Sequence, residues 1–209
     1  MIGLCGANGT GKSTLAQAFA QEQDIPFVAT SASEVFRKLD LDPAADYPLD
    51  IRLAVQEAIL STFEAQYAAA TKLSPLWIAD RTPIDLASYM IADVQRRSLV
   101  EEPELAAKVN DYVARCLKSA SRHFSVIMLV QPGIKVEMNR EGKAPSCAAY
   151  MEHLNSIQLG LLCDERSSTR RYSLPRSVIT PQGRMQALAR AVAGAIEAEH
   201  VLRKSRTVH

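Results

Sequence analysis

Residues 6–13 combine glycines with a lysine and a hydroxyl-bearing side chain, in the spacing Gly6-x-x-x-x-Gly11-Lys12-Ser13. Glycines at positions 6, 9 and 11 allow backbone N–H groups to turn inward and approach anionic oxygens without a Cβ in the way. A short apolar run precedes the segment and a helical pattern follows it, which is the setting that a phosphate-binding loop requires. A glycine-rich turn without a nucleotide is the alternative. We predict a nucleoside triphosphate site here.

Each polar residue of this loop has a chemical role in that prediction. Lys12 supplies a positive charge to the β- and γ-phosphates, and the Ser13 hydroxyl is placed to bind Mg²⁺. The helix that begins at Lys12 points its positive dipole end at the phosphates. We therefore expect ATP and Mg²⁺ as cofactors. The predicted nucleotide-binding residues are Gly6, Asn8, Gly9, Thr10, Gly11, Lys12, Ser13 and Thr14.

A second pair of charged residues, Asp80 and Arg81, directly follows the buried apolar run at 76–80. Asp80 is predicted to orient a Mg²⁺-bound water or to accept a proton from an acceptor hydroxyl, and a helix-capping role is the alternative. Arg81 is predicted to contact the transferring phosphoryl group, or else to form a surface salt bridge. Asp85, one turn later, suits a functional role and a favourable first-turn acid equally well.

The elements that must position these residues alternate along the chain. Apolar runs predict strands at 1–6, 25–30, 76–80 and 124–132, with a fifth within 171–180. Helical patterns separate them, including one that opens with the capping-box spacing Ser31-x-x-Glu34 and one with Pro83 in its first turn. This order predicts an α/β protein of the P-loop NTPase fold, with a five-stranded, mainly parallel sheet and helices on both faces. We predict one domain over residues 1–209.

Two motifs that are missing from the sequence argue against particular classes of P-loop protein, the GTPases and the motor or oligomeric ATPases. The sequence has no N-K-x-D guanine-binding motif, and its third strand ends in Asp-Arg rather than in the Asp-Glu of many motor and oligomeric ATPases. The segments "GANGTGKST", "TSASEVF", "DRTPIDLASYM" and "REGKAP" resemble phage and bacterial P-loop kinases of the thymidylate-kinase-like and nicotinamide-riboside-kinase-like group. The resemblance extends over about residues 1 to 165. It implies an ATP- and Mg²⁺-dependent phosphotransferase.

The same resemblance implies where the remaining site residues lie. Arg140 and Lys143 fall in a lid segment at about 133–146, where a closing loop delivers positive charge to the phosphates. Thr30, Ser33 and Glu34 follow the second strand on the acceptor side, although a capping box alone explains Glu34. A mobile, solvated basic loop is the alternative for the lid.

Five arginines lie between residues 165 and 184 with a single acid, Glu165, and with Tyr172 among them; they are Arg166, Arg170, Arg171, Arg176 and Arg184. Such a run is typical of surfaces that neutralise nucleic-acid phosphates and stack on a base. Arg170 and Arg171 are the predicted substrate contacts. A nucleotide-facing or solvated basic edge is the alternative.

Within that kinase group the chain also resembles the phage enzymes that phosphorylate 5-hydroxymethyluracil in DNA. This resemblance, together with Asp80 as a possible base and the arginine run, implies the hydroxymethyl group of 5-hydroxymethyluracil in phage DNA as the acceptor. A free deoxynucleoside monophosphate is the alternative acceptor, and a non-kinase ATPase is less favoured. Composition adds little, because 24 Lys and Arg balance 23 Asp and Glu. Four dispersed cysteines and no membrane-length apolar run predict a cytoplasmic protein, in the host cytoplasm if the chain is phage-encoded. The oligomeric state is left open.

Overall fold

The computed structural model describes residues 1–94, 99, 102–134 and 147–206. Its strands are β1 (Ile2–Cys5), β2 (Phe27–Val28), β3 (Ile78–Ala79), β4 (Val126–Val130) and β5 (Arg170–Leu174). Its helices are α1 (Lys12–Gln23), α2 (Ala32–Lys38), α3 (Leu49–Leu73), α4 (Pro83–Val94), α5 (Pro103–His123), α6 (Ala148–Cys163) and α7 (Pro181–Arg206). The predicted alternation of strands and helices is confirmed.

The five strands form one sheet in the order β2-β3-β1-β4-β5, and every pairing between neighbours is parallel. The mainly parallel sheet predicted from the sequence is thus parallel throughout. Because β1 lies between β3 and β4, the segments that follow these three strands meet at one edge of the sheet. The phosphate-binding loop after β1 and Asp80 after β3 are brought together in this way.

Helices cover both faces of the sheet because side chains alternate along each strand. On β4, Ile127 and Leu129 pack in a core with α3, α4 and α5, whereas Val126, Met128 and Val130 pack in a second core with α1 and α7. All five side chains of this strand are buried. Burial on both faces explains why the strand reads as a continuous apolar run.

Two predicted strands are shorter in the structure than in the sequence pattern. We expected strands at 25–30 and 76–80, but β2 and β3 each span two residues. Pro26 has no N–H and so cannot extend the ladder at the start of β2. At the other end, the Thr30 N–H donates to the Asp80 side chain, 3.3 Å away, instead of to a strand. The Thr30 N–H is therefore used in the contact with Asp80 and is not available to extend β2.

The predicted start of α4 is confirmed, whereas the capping interaction predicted for α2 is not found. Pro83 is the first residue of α4, as expected. Ser31 is the N-cap residue of α2, but its side chain makes no capping hydrogen bond, so the predicted capping box is wrong. No helix in the described ranges is long and apolar enough to cross a membrane.

An aromatic cluster supports the segment that carries Asp80 and Arg81. Tyr67 of α3 stacks on Trp77 at a centroid distance of 5.4 Å, and Phe124 packs edge-on against both rings. The buried Tyr67 hydroxyl donates to the Arg81 carbonyl, 2.9 Å away. This contact fixes the backbone of Arg81 against the core.

Candidate functional site

The loop after β1 adopts a backbone that requires glycine. Gly6, Gly9 and Gly11 have φ values of 150°, 84° and 82°, in the region that side chains disfavour. A Cβ on Gly6 would lie 2.5 Å from the Val130 carbonyl oxygen, so this position also lacks space for a side chain. Gly11 is the N-cap residue of α1. The loop therefore presents its backbone and the amino end of α1 to an anion.

Lys12 is buried at this end of α1, with 6% of its surface exposed. Its Nζ donates to the Gly6 carbonyl at 2.6 Å and to the Ala7 carbonyl at 2.9 Å, so the ammonium group is held over the loop. Burial lowers the pKa of Lys12 to about 8, and the nearby Asp85 carboxylate partly offsets the effect. The lysine thus places a poorly solvated positive charge where phosphate oxygens would bind.

Asp80 joins the loop to the segment after β2. One carboxylate oxygen accepts the Ser13 hydroxyl at 2.6 Å, and the other accepts the Thr30 hydroxyl at 3.0 Å. The bonds of this carboxylate are therefore to the phosphate-binding loop and to the segment after β2. A hydroxyl beside a carboxylate suits Mg²⁺, which takes few protein ligands and completes its shell with phosphates and waters. The predicted pair of Mg²⁺ ligands is therefore adjacent.

Asp85 is a fully buried carboxylate whose importance the sequence analysis left undecided. It accepts the Gly6 N–H at 3.1 Å, and its other oxygen accepts the N–H of Thr82 at 2.8 Å and the Thr82 hydroxyl at 3.1 Å. Burial raises the pKa of Asp85, while Lys12 and Arg81 act in the opposite direction. Asp85 thus ties the first residue of the loop to the start of α4.

Arg81 extends over the same loop. Its guanidinium donates to the Asn8 side-chain oxygen at 2.9 Å, which decides against the surface salt bridge considered as its alternative role. Burial alone would lower the pKa of Arg81, but Tyr89, Asp85 and Asp80 outweigh it, and the pKa is raised. The site thus holds two cations around the loop, the buried Lys12 and the half-buried Arg81.

A comparison of the sequence with known protein families assigns the chain to one of them. The family described as AAA domain matches residues 1–127, which include the loop, Asp80, Arg81 and Asp85. The chain belongs to the AAA domain family. No curated protein matches the sequence.

Solved structures similar to this AAA domain protein include deoxyadenosine kinase from M. mycoides. One structure of it, with the products dCMP and a flexible dCDP bound, has a TM-score of 0.64 and 14% identity, over 92% of this chain and 98% of that one. Another, with dATP bound, has a TM-score of 0.60 at 14% identity and the same coverage. The likeness confirms the P-loop kinase-like fold.

Two clefts lie around α2 of this AAA domain protein, in the region where the sequence predicted the acceptor contacts. One has a volume of about 440 Å³ and is lined by Ser33, Phe36, Arg37 and residues 40–43. The smaller, of about 30 Å³, is lined in part by Phe36, Tyr47, Arg52 and Gln56. Of the predicted acceptor contacts, Thr30 bonds to Asp80 and Ser33 lines the larger cleft, whereas Glu34 is exposed to solvent.

Arg52 on α3 is bonded to the segment that links α2 and α3. It donates to the carbonyls of Tyr47 and Ala45 and pairs with Asp46 at 3.0 Å and Asp93 at 3.4 Å. These bonds hold the segment between α2 and α3 against the helix. Arg52 therefore shapes the smaller cleft that it lines.

The five arginines counted in the sequence do not form one basic surface. Arg166 pairs with Asp164 at 2.6 Å, and Arg176 pairs with Glu152 at 2.6 Å. Arg170 donates to the Ala195 carbonyl at 3.1 Å, and Arg171 donates to the Leu162 carbonyl. Arg184 points to the phosphate-binding loop instead. The chain fold thus separates residues that are close in sequence.

The predicted lid segment at 133–146 is only partly described. Arg140 and Lys143, which were predicted to contact the phosphates and the acceptor, lie outside the described residues. Ile134 is described, and its side chain would lie 3.3 Å from a Cβ placed on Gly11. The chain after β4 therefore starts beside the phosphate-binding loop.

Proposed function

We propose that the protein is an ATP- and Mg²⁺-dependent kinase that transfers the γ-phosphoryl group to the primary hydroxyl of a free deoxynucleoside. The observation that carries this proposal is the position of Asp80. One oxygen of its carboxylate contacts Ser13 in the donor loop, and the other contacts Thr30 at the start of the acceptor side. This arrangement supports a role for one carboxylate that serves both substrates of a phosphoryl transfer.

The donor half of the reaction follows from the buried charges. Lys12 stabilises negative charge on the β- and γ-phosphates, and Arg81 is held by Asn8 and Tyr67 in a position to contact the transferring group. Mg²⁺, when bound beside Ser13 and Asp80, neutralises charge that builds up on the phosphates. Asp85 keeps the loop and the start of α4 in register.

The acceptor half follows from the same carboxylate. The acceptor oxygen forms a bond to the γ-phosphorus, the bond from that phosphorus to the β–γ bridging oxygen breaks, and ADP leaves. The proton of the acceptor hydroxyl passes to Asp80, directly or through a water. An alcohol needs such a base more than an anionic phosphate does, which favours a nucleoside over a nucleotide acceptor.

The larger cleft offers a small acceptor a lining of mixed character. It is shallow and largely open to solvent, with a volume of about 440 Å³. It combines the Phe36 ring with the polar side chains of Ser33, Arg37 and Asp40. The similar deoxyadenosine kinase structures contain dCMP, dCDP or dATP, which also favours an acceptor of nucleoside size.

The acceptor first predicted from the sequence, 5-hydroxymethyluracil in DNA, is the second candidate to test. A primary alcohol on the base suits Asp80 as well as a sugar hydroxyl does. A polymer also requires a surface that neutralises several phosphates. Arg166 and Arg176 are paired with acids, and Arg170 and Arg171 with backbone carbonyls, so they offer less free charge than the sequence indicated.

A phosphate-transfer assay separates these acceptors. The protein is incubated with γ-labelled ATP and, in separate reactions, with the four deoxynucleosides, the four deoxynucleoside monophosphates, unmodified DNA and DNA containing 5-hydroxymethyluracil. Label in a deoxynucleoside monophosphate product, lost in the Lys12→Ala variant, is the expected result. Label only in a diphosphate or only in the modified DNA would move the proposal to that acceptor. Label released only as inorganic phosphate would contradict kinase activity.

A further inference from the structure

Arg184, in the first turn of α7, is buried against the phosphate-binding loop. Only 7% of its surface is exposed, and its Nη2 donates to the Thr10 carbonyl at 2.6 Å. A Cβ placed on Gly11 would lie 2.8 Å from the Arg184 Nη1. The guanidinium therefore packs directly on the two residues that precede Lys12, although 174 residues separate it from Thr10 in the sequence.

The charge of Arg184 has no counter-ion in the described part of the chain. None of the ion pairs found there includes Arg184, and its buried Nε has no hydrogen-bond partner. Burial lowers the pKa of Arg184, and no carboxylate offsets the effect. A buried cation without a paired anion is unfavourable for folding, because the charge has left water without compensation.

We propose that Arg184 is a third fixed cation of the donor site, beside Lys12 and Arg81, and that the polyphosphate of the donor nucleotide is its counter-ion. This inference rests on the proposed use of a nucleoside triphosphate. An anion held at the amino end of α1 binds at Gly11, and the guanidinium packs against this same residue. Lys12 approaches the loop from α1 and Arg184 approaches it from α7, so the two charges come from different elements.

A purely structural role is the rival explanation, since the bond to Thr10 also ties α7 to the loop. The two roles differ in their effect on the ligand-free protein. A structural tie predicts that the loss of the arginine lowers the melting temperature. If Arg184 instead binds the anionic ligand, replacing it with a neutral residue should leave the melting temperature of the ligand-free protein unchanged or raise it. Only ligand binding should then weaken.

Three variants separate these roles. Arg184→Gln removes the charge and keeps an N–H donor on a side chain about two bonds shorter, and Arg184→Lys keeps the charge but loses the planar fork. Arg190→Gln is the matched control, because Arg190 is an exposed arginine of the same helix and, within the described residues, bonds to its own turn at the Gln186 carbonyl. The variants are compared with the wild type by calorimetry and thermal melting, with Mg·ATP and with inorganic tripolyphosphate as ligands.

We expect Arg184→Gln to weaken the binding of both ligands by about 10- to 100-fold, the loss typical of one charged hydrogen bond. Arg184→Lys should lose less, and Arg190→Gln should bind as the wild type does. Unchanged tripolyphosphate binding in Arg184→Gln, or a clear fall in its ligand-free melting temperature, would overturn the inference. A wild-type protein that binds both ligands through Arg184 but transfers no phosphoryl group would contradict the proposed kinase function and support this inference.

Discussion

The lowered pKa of Lys12 makes donor binding depend on pH in a range where most lysines remain charged. The pKa is about 8 in the protein, because burial disfavours the ammonium form. A polyphosphate favours the charged form, so the nucleotide binds to protein that carries the proton on Lys12. Above pH 8 the free protein must take up a proton in order to bind. Affinity for the donor should therefore fall as the pH rises.

The size of this effect follows from the protonated fraction of Lys12. With a pKa of about 8, that fraction falls from about 75% at pH 7.5 to about 3% at pH 9.5, and the dissociation constant rises about 25-fold. Calorimetric titration of a non-hydrolysable ATP analogue at constant ionic strength measures it directly. Burial raises the pKa of the neighbouring Cys5 thiol well above its usual range, so that thiol does not titrate between these pH values.

Lys12→Arg is the control, because arginine stays protonated over the whole range. This variant should bind the analogue more weakly than the wild type at pH 7.5, but with an affinity that does not change up to pH 9.5. A wild-type affinity that is independent of pH would refute the reasoning. So would an equal loss of affinity in Lys12→Arg, since the titrating group would then be a different one.

Three further substitutions test the Asp80 carboxylate and the packing around β1 and α6. Asp80→Asn removes the charge beside Ser13 and should lower kcat by about 100-fold or more, with a weaker dependence of the rate on Mg²⁺; a rate within threefold of the wild type would count against its role. Gly3→Ala would bring a Cβ to 2.5 Å from the Thr82 side chain and should lower the free energy of unfolding by about 1–3 kcal/mol in urea titrations. Gly160→Ala in α6 meets no atom within 4 Å and should raise it by up to about 1 kcal/mol, so a destabilised Gly160→Ala protein would contradict the packing described here.

Sequence patterns predicted those parts of the site that depend on near neighbours. The spacing of Gly6, Gly11 and Lys12 is local, and so is the position of Asp80 directly after an apolar strand. The contacts of Asp85 with Gly6 and of Arg184 with Thr10 join residues 79 and 174 positions apart. A hydrophobic pattern over about ten to twenty consecutive residues cannot predict such pairs. They form only when the folded sheet brings the ends of its strands together.

The five arginines between residues 165 and 184 show that residues close in sequence need not lie on one surface. Closeness in sequence favoured a single basic surface, yet consecutive residues of a strand point to opposite faces of the sheet. Arg170 is bonded on the α7 side, at the Ala195 carbonyl, whereas Arg171 is bonded to the carboxyl-terminal part of α6, at the Leu162 carbonyl. A count of charges along the chain contains no information on this division, and the acids that pair with Arg166 and Arg176 lie at 164 and 152.

Because β5 is an edge strand of the sheet, its sequence bears on whether copies of the protein aggregate through their sheets. A terminal strand of a sheet offers unpaired backbone groups to which a second sheet can add, and natural proteins protect such strands with charged side chains. β5 begins with two arginines, and the opposite edge strand, β2, is only two residues long. Replacing both arginines with valine would leave a five-residue edge strand without a charged side chain. We expect the two arginines at the start of β5 to disfavour sheet-to-sheet aggregation.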